Sequence, residues 1–448
     1  MHRLRALRSA TARQLQLQQR WAINASPWSR SSSSQSAPST TTSEKRRRHQ
    51  YISLYNYTPL EKEQLPRLRR ELFERWTDLH VLGRIYISQE GVNAQLTLPQ
   101  TRVAAFTISF PELFTRRNMF FGALIQQPVT IGDKNSELDQ KQRIAEPFQK
   151  LNVRIRDQIV RDGFARGHLD LQDAGHSLPP REWHDKLHAR NATKDQSTLV
   201  LDVRNFYESD IGRFDGATRI MVDTFRDTFD AVDELLDQHA AAHDGQQPRE
   251  VMMYCTGGIR CEKVGAYLTQ YKGIANIHKL HGGIVNYMRF LKEDTDGSQQ
   301  HESLFKGKNF VFDQRCVASG DDSQEDSGEA VTSDVLGECF QCGEPCNQHA
   351  NCANLMCHGL ILQCSNCASH YHGACSNGCR DEVVRMSSMA PDEHRVYRKE
   401  NTPLWKPKNP NAGASYHKFI KFRPVPPSLQ QQPHEQEAQS SAAAQEVL

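Results

Sequence analysis

The chain has 448 residues, enough for two or three domains, and 38% hydrophobic with 24% charged residues leaves material for cores as well as polar stretches. A formal net charge of +2 excludes a nucleic-acid coat built on bulk charge, so any contact with phosphate has to be local. The absence of a long apolar run argues against a membrane span, and twelve cysteines, nine of them between Cys339 and Cys379, are too clustered for a secreted disulfide scaffold.

Residues 1–43 contain Arg3, Arg5, Arg8, Arg13, Arg20 and Arg30 and no acid, with a Ser/Thr-rich run from Ser29 to Ser43. An acid-free leader of this kind over residues 1–49 describes a transit peptide, addressed to the mitochondrion, with a plastid or cytoplasmic protein as the alternatives. Residues 50–135 then read as a small ferredoxin-like α+β domain. YISLYNY is a strand, and Leu65, Leu68, Leu72, Phe73 and Trp76 recur at helical spacing. RIYISQ and NAQLTLP alternate around Glu90-Gly91 as a hairpin, and TRVAAFTISF supplies a second helix. Residues 136–186 are a connecting segment.

Residues 187–300 alternate strands with helices: TLVLD (198–202), a helix over 224–238, EVMMY (250–254), a helix over 261–271, a strand over 276–280 and a helix over 284–291. The pattern predicts a parallel α/β sheet with helices on both faces. The strand EVMMY runs directly into Cys255, Thr256, Gly257, Gly258, Ile259 and Arg260, and a helix is expected to begin near Cys261. Paired glycines ahead of a helix N-terminus let successive backbone N–H groups turn inward as an anion nest. A cysteine seated there, beside Arg260, is expected to be a thiolate of depressed pKa. Cys261 reads either as a core residue or as an auxiliary thiol.

These segments carry a resemblance. LDVRNFYESDIGRFDGA, YCTGGIRCEK and HKLHGGI resemble the rhodanese domain, in which a loop cysteine, here Cys255, carries sulfur. Asp202 and Arg204 match that family's Asp-x-Arg and imply bracing of the loop. YCTGGIRCEK together with EGVNAQLTL, EPFQKLNVRIRDQIV, KLHGGIVNY and FVFDQRCV resembles more closely the tRNA wobble-uridine 5-hydroxylases, rhodanese-domain proteins with an acylphosphatase-like N-terminal domain. The resemblance implies oxygen-dependent hydroxylation of C5 of the wobble uridine, with molecular oxygen as co-substrate and the tRNA anticodon loop as partner. It implies Cys255 as the nucleophile adding to C6, and Arg260 with the nest amides as stabilisers of the developing oxyanion. An electron or sulfur donor protein is the further partner expected. The enzyme rival is a persulfide-dependent sulfurtransferase, and the non-enzymatic rival a zinc-dependent RNA- or protein-binding adaptor. No Gly-rich dinucleotide fingerprint is visible, so no nucleotide cofactor is expected.

Residues 301–335 form an extension and an acidic linker, and 336–382 a Cys-rich metal-binding module. Two C-x2-C pairs, Cys339/Cys342 and Cys364/Cys367, suit one structural zinc ion. A second site draws on Cys346, Cys352, Cys357, Cys375 and Cys379; an iron–sulfur cluster and a disulfide-linked lobe are the other readings. Residues 383–423 are a basic-aromatic strap in which Tyr397, Trp405, Tyr416, Phe419 and Phe422 alternate with bases, either to stack on RNA or to pack on the domains. Residues 424–448 read as a disordered tail.

Overall fold

The computed structural model describes residues 47–114, 118–127, 148–293, 301–310, 332–357 and 359–405. Residues 1–46 of the leader, most of the acidic linker, the strap beyond Trp405 and the C-terminal tail lie outside the described residues, while residues 47–49, assigned from sequence to the leader, begin the first strand.

The N-terminal domain runs β1 (Arg47–Tyr57), α1 (Leu65–Asp78), β2 (Leu82–Ser88), β3 (Gly91–Pro99), α2 (Val103–Thr107), β4 (Met119–Gln127) and β5 (Leu151–Ile155). The sheet order is β4-β1-β3-β2-β5, in which the first four strands are antiparallel neighbours, the ferredoxin-like order, and β5 adds in parallel beside β2. Residues assigned from sequence to a connecting segment thus supply a fifth strand. Strand alternation sends Ile52, Leu54, Ile85, Ile87, Val92, Ala94 and Leu96 to one face, where they pack with Leu72 and Trp76 of α1. Trp76 sits within 5.0–5.8 Å of the rings of Phe106, Phe110 and Phe114. Phe73, grouped with the apolar stripe of α1 on spacing, points outward and is 49% exposed, because Leu72 and Trp76 already fill the face toward the sheet. The opposite face of the sheet carries Tyr51, Ser53, Tyr55, Arg84, Tyr86, Asn93 and Gln95 and is turned to the second domain.

The second domain contains β6 (His176–Leu178), α3 (Pro180–Thr193), β7 (Thr198–Asp202), α4 (Phe206–Asp210), β8 (Gly212–Phe214), β9 (Thr218–Arg219), α5 (Thr228–Ala242), β10 (Glu250–Tyr254), α6 (Ile259–Lys272), β11 (Ile277–Leu280), α7 (Gly283–Glu293) and β12 (Phe305–Gly307). Its sheet, ordered β6-β11-β10-β7-β9, is parallel throughout. β6 and the start of α3 also come from the stretch read as a connector. Leu199, Leu201, Val251 and Met253 face one helical layer, while Val200, Met252 and Tyr254 face the other with Trp183 and Tyr287. Both faces are covered, which is why TLVLD and EVMMY are apolar without interruption.

The Cys-rich module has a short hairpin, β13 (His349–Asn351) and β14 (Leu360–Leu362), then α8 (Ser365–His370), α9 (Asn377–Ser387) and α10 (Pro391–Trp405). The first part of the strap is therefore helical. Tyr397 donates to Glu382 Oε2 at 2.9 Å and accepts from Arg385 at 3.1 Å, tying α10 to α9. Among the described residues no helix is long and apolar enough to cross a membrane.

Candidate active site at the Cys255 loop and the cysteine module

β10 ends at Tyr254, and the loop that follows lies at the carboxyl edge of a parallel sheet, the usual ligand position in such folds. Tyr254 is fixed before the loop begins. Its hydroxyl donates to Asp202 Oδ2 at 2.8 Å and accepts from Phe214 N at 3.2 Å. Asp202 holds Arg204 through two bonds of 2.8 and 2.5 Å, and Arg204 also donates to Gly212 O at 2.6 Å. Asp202 and Arg204 are wholly buried, and the guanidinium lies over the rings of Tyr254 and Phe305. Asp202 and Arg204 thus both contact Tyr254, the residue immediately before the cysteine.

Cys255 is fully buried. Its sulfur accepts from Gly258 N at 3.1 Å. Burial alone would raise its pKa. A hydrogen bond from Cys261, the positive charge of Arg260 and the backbone N–H groups of Arg260 and Gly257 outweigh that and pull it down from 9.0 to about 6. Cys261 is the third residue of α6 rather than its first, and is fully buried; burial together with the bond to Cys255 holds its own thiol well above the usual range. It is both a core residue and a donor to the thiolate.

Gly257 and Gly258 serve a second purpose that the nest argument does not contain. A Cβ at Gly257 would lie 3.2 Å from Ser53 Oγ, and one at Gly258, whose φ is +97°, 2.8 Å from Tyr55 Oη. The glycines let the N-terminal sheet approach the loop. Gly283, at the start of α7, makes a similar approach from the other side, and Ile284 N and Val285 N donate to Cys255 O and Thr256 O at 3.0 and 3.1 Å. Ile259 begins α6 and its carbonyl accepts from Tyr57 Oη at 3.2 Å.

Arg260 borders the cavity beside Cys255 and is at the same time held by a buried carboxylate. Its guanidinium is gripped by Glu208 through bonds of 2.5 and 2.8 Å and also donates to Thr256 Oγ1 at 3.2 Å. Glu208 is fully buried and Arg260 only 7% exposed at the side chain. The arginine therefore acts on Cys255 as a fixed charge, with Nη1 and Nη2 both bonded to protein acceptors. Glu208 escaped the sequence reading; Asn205-x-x-Glu208 is a helix-capping signature that marks it, and Glu208 Oε1 accepts from Asn205 N at 3.0 Å.

A cavity of about 280 Å³ lies between the loop and the polar face of the N-terminal sheet. Its lining includes Tyr51, Ser53, Tyr55, Arg84, Tyr86, Asn93 and Gln95 on one side and Cys255, Thr256, Gly257, Ile259 and Arg260 on the other. Its size is near the lower end of the ~300–1,000 Å³ common for small-ligand sites.

In the cysteine module the thiols gather into two quartets, Cys339/Cys342/Cys364/Cys367 and Cys352/Cys357/Cys375/Cys379, each with its sulfurs within 4.8 Å of one another. The first is the set expected from the paired C-x2-C spacing. The second takes four of the five remaining candidates; Cys346 is buried beside the first quartet without joining either. Ligand pairs alternate along the chain between the quartets, so each site staples across the other. Sulfur separations of 3.7 Å (Cys342–Cys364), 3.8 Å (Cys357–Cys375) and 3.6 Å (Cys375–Cys379) far exceed a disulfide bond. They match the edge of about 3.8 Å of a tetrahedron with ~2.3 Å metal–sulfur bonds. Four thiolates in that arrangement fit a closed, structural metal site.

Residues 49–159 match the family described as UPF0176 acylphosphatase like domain, residues 184–289 the Rhodanese-like domain, and residues 306–380 Rhodanase C-terminal. A tRNA uridine(34) hydroxylase of Leptospira interrogans is 35% identical over 370 residues, covering 82% of this chain and 88% of that protein. One of Sodalis glossinidius is 35% identical over 347 residues, covering 78% and 84%. Among solved structures, an As-Sb reductase from Leishmania major matches with a TM-score of 0.22 at 13% identity, over 30% of this chain and 87% of that one.

Two predictions follow from the loop geometry. The thiolate absorbance of the protein, taken as the difference from Cys255→Ala, should titrate with a midpoint near pH 6. A midpoint near that of a free thiol would contradict the nest. Because the folded thiol ionises below its unfolded value, ionisation favours the fold; this contribution is complete above about pH 9 and is lost as pH falls through about 6. Glu208→Ala leaves Arg260 buried without its counter-charge and should destabilise the protein by roughly 3–5 kcal/mol in urea unfolding.

Proposed function

The chain belongs to the tRNA uridine(34) hydroxylase family, and from that premise we propose that it hydroxylates C5 of the wobble uridine of tRNA with Cys255 as the nucleophilic thiolate. The observation that carries the assignment of Cys255 is the cavity between its loop and the N-terminal sheet, which brings a thiolate of depressed pKa to a space of nucleobase size. A wobble nucleotide is already outside the duplex, so its base enters such a cavity at a low unstacking cost.

Uracil C5 is a poor nucleophile in the aromatic-like ring. Addition of sulfur to C6 moves the C5=C6 electron pair toward the carbonyl and makes C5 electron-rich. C5 then forms its bond to oxygen. Dioxygen supplies the atom, and a two-electron donor with two protons takes the other oxygen to water. Loss of the C5 proton and departure of the thiolate from C6 restore the ring double bond. The nest amides and the fixed charge of Arg260, which make the thiolate stable before attack, make it an equally good leaving group at the end.

The two cysteine quartets would each hold a zinc ion in a structural role, with Cys339, Cys342, Cys364 and Cys367 as one ligand set and Cys352, Cys357, Cys375 and Cys379 as the other. The acid-free, arginine-rich composition of residues 1–43 supports a mitochondrial address, which would limit the substrates to that compartment's tRNA.

The test is accurate-mass analysis of nucleosides from unmodified tRNA incubated in air with the protein and a reductant, beside Cys255→Ala. An added oxygen on uridine that is lost in the variant is the expected result; exchange of oxygen for sulfur would instead make the protein a sulfurtransferase. Metal analysis of the purified chain should give two zinc ions, and chelation should unfold the module and lower the thermal midpoint of the whole protein. A stoichiometry of one, or iron with sulfide, would refute the pair of zinc sites.

A further inference from the structure

The cavity has two arginines in its wall, Arg260 and Arg84. Arg260 gives Nη1 and Nη2 bonds to Glu208 and Thr256. Arg84 is the reverse case. Its Nε and Nη2 are buried without a hydrogen-bond partner among the described residues. The guanidinium carbon lies over the Phe148 ring, 5.8 Å from its centroid. Buried donors left unpaired cost free energy, and an arginine can only donate, so the group calls for an acceptor brought by a ligand.

The sheet register says where that acceptor lies. Ser53 pairs with Gln95, and Gln95 with Arg84, in one row across three strands. The Ser53 end of the row abuts Gly257 of the cysteine loop. The Arg84 end is two strand spacings away, about 10 Å, a width that one nucleobase and its hydrogen bonds occupy. The next row is Tyr55, Asn93 and Tyr86. There Asn93 is committed to Ile159 O at 3.0 Å, Tyr55 donates to Glu262, and Tyr86 lies beneath Arg156. Asn93 Nδ2 and the Tyr55 hydroxyl of that row are thus already engaged, whereas the unpaired donors belong to Arg84 in the first row.

We propose that Arg84 is the cation that contacts the substrate, its guanidinium donating to O4 of the uracil ring while the neighbouring Gln95 amide accepts from N3–H. This deepens the reading above and rests on thiolate addition at C6. In that step the sulfur lone pair forms the S–C6 bond. The C5=C6 π pair becomes the C4=C5 bond, and the C4=O4 π pair moves onto oxygen. No electron is gained or lost; the negative charge of the thiolate passes to O4, where Arg84 receives it. Arg260 and the nest hold the charge at the start of the step and Arg84 holds it at the end. A donor-only group at O4 also rejects cytosine, whose exocyclic amine would face it with another donor.

The step can be read without oxygen or a reductant. The enolate takes a deuteron at C5 from D2O, loses the original proton and expels the thiolate, leaving deuterium at C5. The full-length protein is therefore incubated anaerobically with unmodified tRNA in D2O, and the wobble uridine is analysed by mass. Wild type is expected to exchange and Cys255→Ser to be silent. Arg84→Met should be slowed by about 10²-fold, with tRNA affinity unchanged in a filter-binding assay, and Arg84→Lys should recover part of the rate. Exchange at the wild-type rate in Arg84→Met overturns the assignment while leaving thiolate addition intact. A loss of exchange matched by an equal loss of tRNA affinity also overturns it, since Arg84 would then be a phosphate contact. No exchange by wild type on a tRNA that it hydroxylates in air overturns thiolate addition itself. Should Arg84→Met not fold, Gln95→Leu carries the test: slowing of about five- to tenfold, one hydrogen bond's worth, supports the base-reading row, and an unchanged rate refutes it.

Discussion

A thiolate closed off from bulk water has to be stabilised by fixed dipoles and charge, and the pair formed by Glu208 and Arg260 is what makes that possible here. Removing a guanidinium from water is costly unless its charge is matched, so Arg260 can stand beside Cys255 in the interior only because Glu208 is there to receive it. Glu208 belongs to α4, a helix of five residues that has little stability of its own. Its position depends on neighbours. Phe206 and Tyr207 of α4 pack with Ile211, Phe310 and Leu360, and the ring of Phe310 lies 5.2 Å from that of Tyr207 and 5.0 Å from that of His349. Leu360 and His349 belong to the hairpin of the cysteine module. The module thus reaches the reactive sulfur through packing: hairpin, α4, Glu208, Arg260, Cys255.

The opposite side of the site depends on a second buried charge. Lys263 on α6, 3% exposed at the side chain, donates to Asp162 Oδ2 at 2.5 Å and to Val160 O at 3.1 Å and lies 2.9 Å from Glu90 Oε2. Glu90 is in the turn of the β2–β3 hairpin and also accepts from Ile159 N at 2.7 Å. The hairpin of one domain, the helix that follows the reactive loop in the other, and the segment between them meet at one ammonium group. With Tyr55 donating to Glu262 and Tyr57 to the carbonyl of Ile259, the N-terminal sheet is held against the first turns of α6. The closeness of that contact explains why the loop has glycine at both 257 and 258.

Features that depend on local pattern were legible in the sequence. TLVLD and EVMMY are strands at their expected limits because a doubly covered parallel strand is apolar throughout, and the thiolate nest follows from two glycines before a helix. The first quartet of cysteines follows from paired knuckle spacing. Features that depend on what lies across space were not legible. Arg260 carries the charge expected of it, yet the partner on α4 that fixes where this charge sits lies 52 residues away in the chain. β5 and β6 are too short and too polar to stand out, and become strands because an edge is available on each sheet. Arg84 was one cation among many until the strand register put it in a row with Ser53 and Gln95.

The same register argument bears on why a loop of this type serves base chemistry. A nest with a cysteine creates a stable thiolate, and a stable thiolate is as suited to carrying sulfur as to adding to an unsaturated ring, so the loop alone does not select a reaction. Selection comes from the surface that closes over it. Here that surface is the polar face of the N-terminal sheet, whose alternate residues are rings, amides and one guanidinium instead of the apolar set on its other face. Flat rings and in-plane donors suit a planar, carbonyl-bearing ring, and they stand at strand positions, where the backbone ladder fixes their spacing. The chemistry of the cysteine is thus general, and what distinguishes this site is the N-terminal sheet that faces the loop.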